Sequence, residues 1–144
     1  MTYSPPMDTL PALLADLPAW FWDVPHVSDR YPGAVPRSAL RGGGNCHLFA
    51  YEVLAHFGRH IPDLRSDELW RDTTATVVVL EPQPLDLVLL HDRAQAWGAH
   101  VGVVCGPTEV VHLSKEVGRP AVWTFEQFAA TPRFAQLIGF KRPL

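Results

Sequence analysis

The chain has 144 residues, of which 47% are hydrophobic and 19% charged, enough for one globular domain with a real core. Twelve Lys and Arg against fifteen Asp and Glu give a formal charge of -3 without a block of either sign, which argues against nucleic acid as a partner. No apolar run approaches membrane-spanning length and residues 1–8 carry no basic region followed by an apolar segment, so a cytoplasmic protein with no membrane partner is the default expectation.

Fourteen prolines punctuate the chain. Leu10, Leu13, Leu14, Leu17 and Phe21 recur at helical spacing interrupted at Pro18, which predicts one short helix and a turn over residues 9–22. Three prolines and four glycines in residues 23–44 predict an ordered loop. From Cys46 onward Leu48, Phe49, Val53, Leu54 and Phe57 keep helical spacing, and Gly58 stands where a C-terminal cap belongs. Ser66 is expected to cap a further helical turn over 65–70, with Leu69 and Trp70 packing inward. After Arg71 the composition shifts to strand formers, at 76–80, 85–90, 99–105, 110–113 and 121–125, separated by proline- and glycine-bearing turns. A short helix over 125–130 and a last strand over 137–141 complete the reading. Helices first and an antiparallel meander second make the fold class α+β.

Cys46 ends the run Arg41-Gly42-Gly43-Gly44-Asn45-Cys46 and begins the first confident helix. Unpaired N–H groups and the positive end of the helix dipole favour a thiolate there, so Cys46 is the nucleophile candidate. Cys105 closes the apolar run that starts at Val101 and reads as a small buried hydrophobe, so no disulfide framework is indicated. A thiolate attacking an amide needs an imidazole to move its proton and a third group to orient that imidazole. Of seven histidines, His100 opens a strand and His112 lies twelve residues later, across the turn Gly106-Pro107-Thr108. A hairpin centred on residue 106 would make these two cross-strand neighbours. His47, His56, His60 and His91 are expected on exposed helix or loop surface. A zinc site of Cys46, His47, His100 and His112 is disfavoured, because ligands at 46 and 47 diverge on a helix and no CxxC or HxxxH spacing supports it; no metal or other cofactor is expected. The N–H of Cys46 is the first candidate to stabilise an oxyanion, with His47 or the Asn45 side chain as a second donor. Trp97, three residues before His100 in a loop, is the tryptophan placed to touch a substrate.

Four motifs occur in order: Gly42-Gly43-Gly44-Asn45-Cys46-His47-Leu48-Phe49, Gln83-Pro84-Leu85-Asp86-Leu87, His100-Val101-Gly102-Val103-Val104 and Val110-Val111-His112-Leu113-Ser114. From about Tyr31 to the C-terminus the chain resembles the NlpC/P60 cysteine peptidases, papain-like enzymes that cut peptide bonds in bacterial cell-wall peptides. The resemblance implies a nucleophile helix packed on an antiparallel sheet, in a single catalytic domain whose core is 31–144 and whose residues 1–30 are an N-terminal helical extension. It assigns Cys46 as nucleophile, His100 as base and His112 as the residue orienting it. Tyr31 corresponds to the aromatic that precedes the nucleophile in that family, and Tyr31, Asn45, His47 and Trp97 are the expected substrate-binding residues.

Two motifs depart from the family pattern. Its Asp-Cys-Ser-Gly is here Asn45-Cys46-His47-Leu48, and its Pro-Gly-Asp-Leu is Pro84-Leu85-Asp86-Leu87. The implied activity is a cysteine hydrolase cleaving amide bonds in peptides, with peptidoglycan stem peptides as the substrate class. An acyltransferase or deamidase using the same thiolate is the alternative, as is a non-catalytic binding module. Lipid-acting relatives of permuted order place the His before the Cys, whereas here Cys46 precedes His100. The oligomeric state stays open.

Overall fold

The computed structural model describes residues 10–144; the reading of residues 1–8, and Thr9 at the start of the first expected helix, lie outside them. In place of the single helix expected near the N-terminus there are two 3-10 helices, Ala12–Asp16 and Ala19–Asp23. Pro11 and Pro18 sit at their N-caps; the Pro18 ring excludes the helical conformation at Leu17, which is extended at ψ 137°, and the missing N–H cuts any continuous helix. Leu14, Leu17, Phe21 and Trp22 are nonetheless buried in the main core.

The loop over 23–44 is ordered by specific bonds. A third 3-10 helix spans Arg37–Gly42, and the Arg30 guanidinium donates to the carbonyls of Gly43 (2.8 Å) and Ala39 (2.6 Å). Gly43 adopts φ 124°, and a Cβ there would come within 2.7 Å of the Val27 side chain, so both conformation and space require glycine. The loop thereby delivers Asn45 to the start of helix α1, Cys46–His56, where its side-chain oxygen accepts from the Leu48 N–H at 2.9 Å. Gly58, at φ 80°, follows the helix as expected. Helix α2 spans Ser66–Arg71, but Ser66 is not its cap. The Glu68 carboxylate accepts from the Arg65 N–H at 2.9 Å, while the Ser66 hydroxyl accepts from the Gly98 N–H, also at 2.9 Å.

Six strands follow: β1 Thr76–Val79, β2 Leu87–His91, β3 His100–Val104, β4 Glu109–Leu113, β5 Pro120–Thr124 and β6 Gln136–Pro143, with helix α3, Phe125–Ala129, after β5. All pairings are antiparallel, in the order β1-β6-β2-β3-β4-β5. β2 to β5 form the expected meander, whereas β6 departs from it by inserting between β1 and β2. A bidentate ion pair fixes that insertion: the buried Asp86, entering β2, binds the Arg142 guanidinium of β6 through two 2.9 Å bonds and accepts the Gln83 N–H at 2.7 Å.

The sheet is covered on both faces. Leu87, Leu89, Val101, Val103, Val111 and Leu113 join the core built with α1, while Val88, Leu90, Val104 and Val110 pack with Phe128, Phe134 and Phe140 on the other side. β2 to β4 are therefore buried nearly throughout rather than on alternate residues, His100 and His112 included.

The pairing of β3 with β4 corrects the expected hairpin register. Val103 faces Val111 and Val104 faces Val110, which centres the hairpin on residue 107 rather than 106. Continued one residue beyond Val103, this register puts Gly102 opposite His112, and His100 becomes the diagonal neighbour on the same face. A Cβ at Gly102 would lie 2.5 Å from a Val110 methyl and 3.3 Å from the His112 Cβ. Gly102→Ala is accordingly expected to lower stability by about 1–3 kcal/mol through overpacking against a rigid β-branched side chain, read as a reduced urea midpoint at unchanged m-value. A midpoint equal to wild type would show that the strand pair can spread at no cost.

Candidate active site

Strand β3 brings His100 onto the face that carries Phe134, and β4 brings His112 between Trp123 and Phe128. The His100 Nε2 and His112 Nδ1 atoms are 2.9 Å apart, with the two rings nearly perpendicular at 86°. Ring centroids of Phe134 and His100 are 4.5 Å apart, and those of Trp123 and Phe128 each lie 4.7 Å from His112. Gly102 is what admits this diagonal contact, since no side chain stands between the two imidazoles. Both rings are buried in apolar surroundings that disfavour positive charge. Burial pulls His112 down to about 3, and burial first, then His112 and the Arg133 guanidinium, holds His100 well below the ordinary imidazole range. The pair is neutral, so one ring donates and the other accepts. His112 Nε2 is buried with no hydrogen-bond partner among the described residues.

Cys46 is half-buried at the first position of α1, and its sulfur lies 3.3 Å from His47 Nδ1. Its connection to β3 is through the backbone, where the Val101 N–H, next along the chain from His100, interacts with the sulfur. Burial raises the thiol above its ordinary value, while the Val101 N–H, the Arg133 guanidinium and the N–H groups of His47 and Cys46 pull it down; the net direction is upward. The expected resting thiolate is therefore replaced by a thiol, because desolvation at this helix start outweighs the N–H dipoles around it.

His47 does not lie on the surface as expected. It is 8% exposed, packs edge-on against Tyr51 with ring centroids 5.9 Å apart, and is lowered to about 4 by burial. His56 and His60 are exposed as expected, but His91 is half-buried, and its Nε2 donates to the Trp97 carbonyl at 3.0 Å. Cys105 is buried and pushed up to about 12, chiefly by burial, in keeping with an inert core residue.

A cavity of about 330 Å³ opens beside the start of α1, and Tyr31, Asn45, His47 and Trp97 all line it, together with Arg65, Ser66 and Gly98. Trp97, 68% exposed, stands at its rim on a loop held by the Gly98–Ser66 and His91–Trp97 bonds. A smaller cavity of about 60 Å³ is lined by His100, Arg133 and Phe134 and shares Gly98 with the first. Arg133, which also pairs with Glu116, is a site residue that sequence reasoning missed, as are Ser66 and the aromatic enclosure of the two histidines. Ser66 alone left a trace, as a polar residue at a helix start, but the trace pointed to a cap. Among the described residues no group of three or more His, Cys, Asp or Glu side chains could hold a metal ion.

No family model matches the sequence, and no curated protein does. Solved structures do. A structure of an NlpC/P60 family protein from Bacillus cereus matches with TM-score 0.55 and 17% identity over 85% of this chain, which spans 42% of that protein's length. The NlpC/p60 domain of the peptidoglycan hydrolase SagA matches with TM-score 0.56 and 17% identity over 92% of this chain and 97% of that domain. The fold is NlpC/P60-like. Within this NlpC/P60-like fold the helix that starts with Cys46 packs on β3 and β4, the strands that carry the two histidines.

Three imidazoles kept neutral by burial make stability depend on pH with a definite sign. Below about pH 6.5 the unfolded chain protonates His47, His100 and His112 while the native state resists, so the unfolded state binds more protons and native stability falls as pH drops toward the native values of about 4 and about 3. Unfolding free energies from urea titrations are expected to be flat between about pH 7 and pH 8, below the range in which the unfolded chain loses the thiol protons that native Cys46 and Cys105 retain, and to fall by several kcal/mol by about pH 4. A profile without that acid decline would mean that these rings are charged in the native state.

Proposed function

We propose that this protein is a cysteine hydrolase that cleaves amide bonds in peptides, with Cys46 as nucleophile, His100 as its acid–base group and His112 as the residue that orients His100. The observation that carries the reading is the 2.9 Å bond between His100 Nε2 and His112 Nδ1 on the strand whose next N–H, that of Val101, meets the Cys46 sulfur. With the proton on His100 Nε2, the bond to His112 fixes the tautomer and leaves His100 Nδ1 as a bare acceptor. The N–H groups of Cys46 and His47 occupy helix positions without intrahelical acceptors and already converge on the sulfur, so they supply the donors for an oxyanion. The Asn45 oxygen is committed to capping α1, so its amide NH₂ is the group left to serve as a substrate donor at the cavity that Asn45 lines.

Peptidoglycan stem peptides are the proposed substrate class. The support is the NlpC/P60-like fold, one of whose matches is the domain of a peptidoglycan hydrolase, together with a cavity edged by Tyr31, Arg65 and Trp97 that offers aromatic and charged contacts to an extended peptide.

Incubation with defined muropeptides followed by mass spectrometry tests the reading. Wild type is expected to yield two fragments whose summed mass exceeds the substrate by one water. Cys46→Ala and His100→Ala are expected to lose turnover by about 10²-fold or more, and His112→Ala to retain a measurable trace, since an orienting group costs less than the group it orients. Full activity in His100→Ala, or equal silence of wild type and Cys46→Ala across the panel, would overturn the assignment.

A further inference from the structure

His47 has no counterpart in the Asp-Cys-Ser-Gly pattern, yet it is the imidazole that the sulfur meets. Its Nδ1 lies 3.3 Å from Cys46 Sγ, within the range of a thiol hydrogen bond, whereas the Nε2 of His100 is engaged by His112. It lines the larger cavity together with Tyr31 and Asn45, and its own Nε2 is buried without a hydrogen-bond partner among the described residues. A ring held away from water with one nitrogen on a thiol and the other unpaired is not explained by packing alone, because an unmade bond at a buried nitrogen is costly.

We propose that His47 is a catalytic residue, the base of the acylation half-reaction, and that the His100–His112 pair serves deacylation. This rests on the cysteine hydrolase reading and divides its proton transfers between two imidazoles. In acylation the proton on Sγ passes to His47 Nδ1 as the sulfur forms a bond to the substrate carbonyl carbon. The C–N bond then breaks and the departing nitrogen takes that same proton from His47. In deacylation water attacks the thioester, His100 accepts its proton, the C–S bond breaks, and the proton returns to the sulfur. The sum is amide plus water giving acid plus amine, with both imidazoles restored. The neutral state that burial gives His47 suits a base, which has to begin unprotonated.

The test uses the full chain and p-nitrophenyl acetate, a small acyl donor that makes no demand on peptide recognition, read by nitrophenolate release and by intact mass. Wild type is expected to turn over. His47→Gln and His47→Asn, checked for folding by thermal melts, are expected to release nitrophenolate at least about tenfold more slowly with no acetyl adduct. His100→Ala is expected to give a stoichiometric burst and a persistent acetyl group on Cys46. A second measurement needs no variant: ¹⁵N-histidine spectra of the wild type before and after S-methylthiolation of Cys46 are expected to shift the His47 Nδ1 resonance by more than either His100 resonance. Acetylation of both His47 variants at the wild-type rate, a wild type that is not acetylated, or a shift confined to His100 would each overturn the proposal. Turnover of the ester with silence toward every muropeptide would instead refute the peptide substrate and leave the role of His47 standing.

Discussion

Helix α1 lies against β3 and β4, and where it starts decides what its first residues meet. The Arg30 bonds to Gly43 and Ala39 fix the preceding loop, Gly43 supplies a backbone conformation closed to other residues, and Asn45 caps the helix, so that Cys46 begins at one end of β3. A start one residue later would turn the sulfur about 100° around the helix axis and away from the Val101 N–H. The strand side is equally constrained. Because the hairpin register sets Gly102 opposite His112, the space a side chain would occupy is given to the bond between the two imidazoles.

That placement determines the resting electrostatics of the site. Helix dipole and converging N–H groups favour a thiolate, but the apolar enclosure of the sulfur and of three imidazoles favours neutral forms, and desolvation is the larger influence at each of them. The constellation rests as a thiol among uncharged rings. Charge develops only when a proton moves between two of these groups, and the Arg133 guanidinium on the His100 side favours the thiolate while opposing the imidazolium.

Much of this was legible in the sequence because it depends on local physics. The helix from Cys46, the glycine after it and the six strands follow from periodicity and turn chemistry, and the strand boundaries agree within about two residues with those expected. The pairing of His100 with His112 was anticipated from their twelve-residue separation, although the assumed register was wrong, since a diagonal contact across a glycine reaches as far as a direct one. What could not be read depends on tertiary packing. Nothing local says that His47 is buried, that Ser66 serves the Trp97 loop rather than its own helix, or that Phe128 and Phe134 return to enclose histidines in β3 and β4. The sign of the Cys46 shift belongs to the same class, because a helix start predicts one direction and the depth of its surroundings decides the other.

The position of β6 has a consequence for how this chain reaches its native state. Within the sheet β1 borders β6 alone, and one edge of β2 is likewise covered by β6, with a register shift between Leu89 and Leu90. Until residues 136–143 have been synthesised, two hydrogen-bonding edges wait open and Asp86 lacks its guanidinium. Sheet closure is thus a late event joining segments some sixty residues apart, the kind of long-range contact that slows folding and exposes a nascent chain to strand-mediated aggregation.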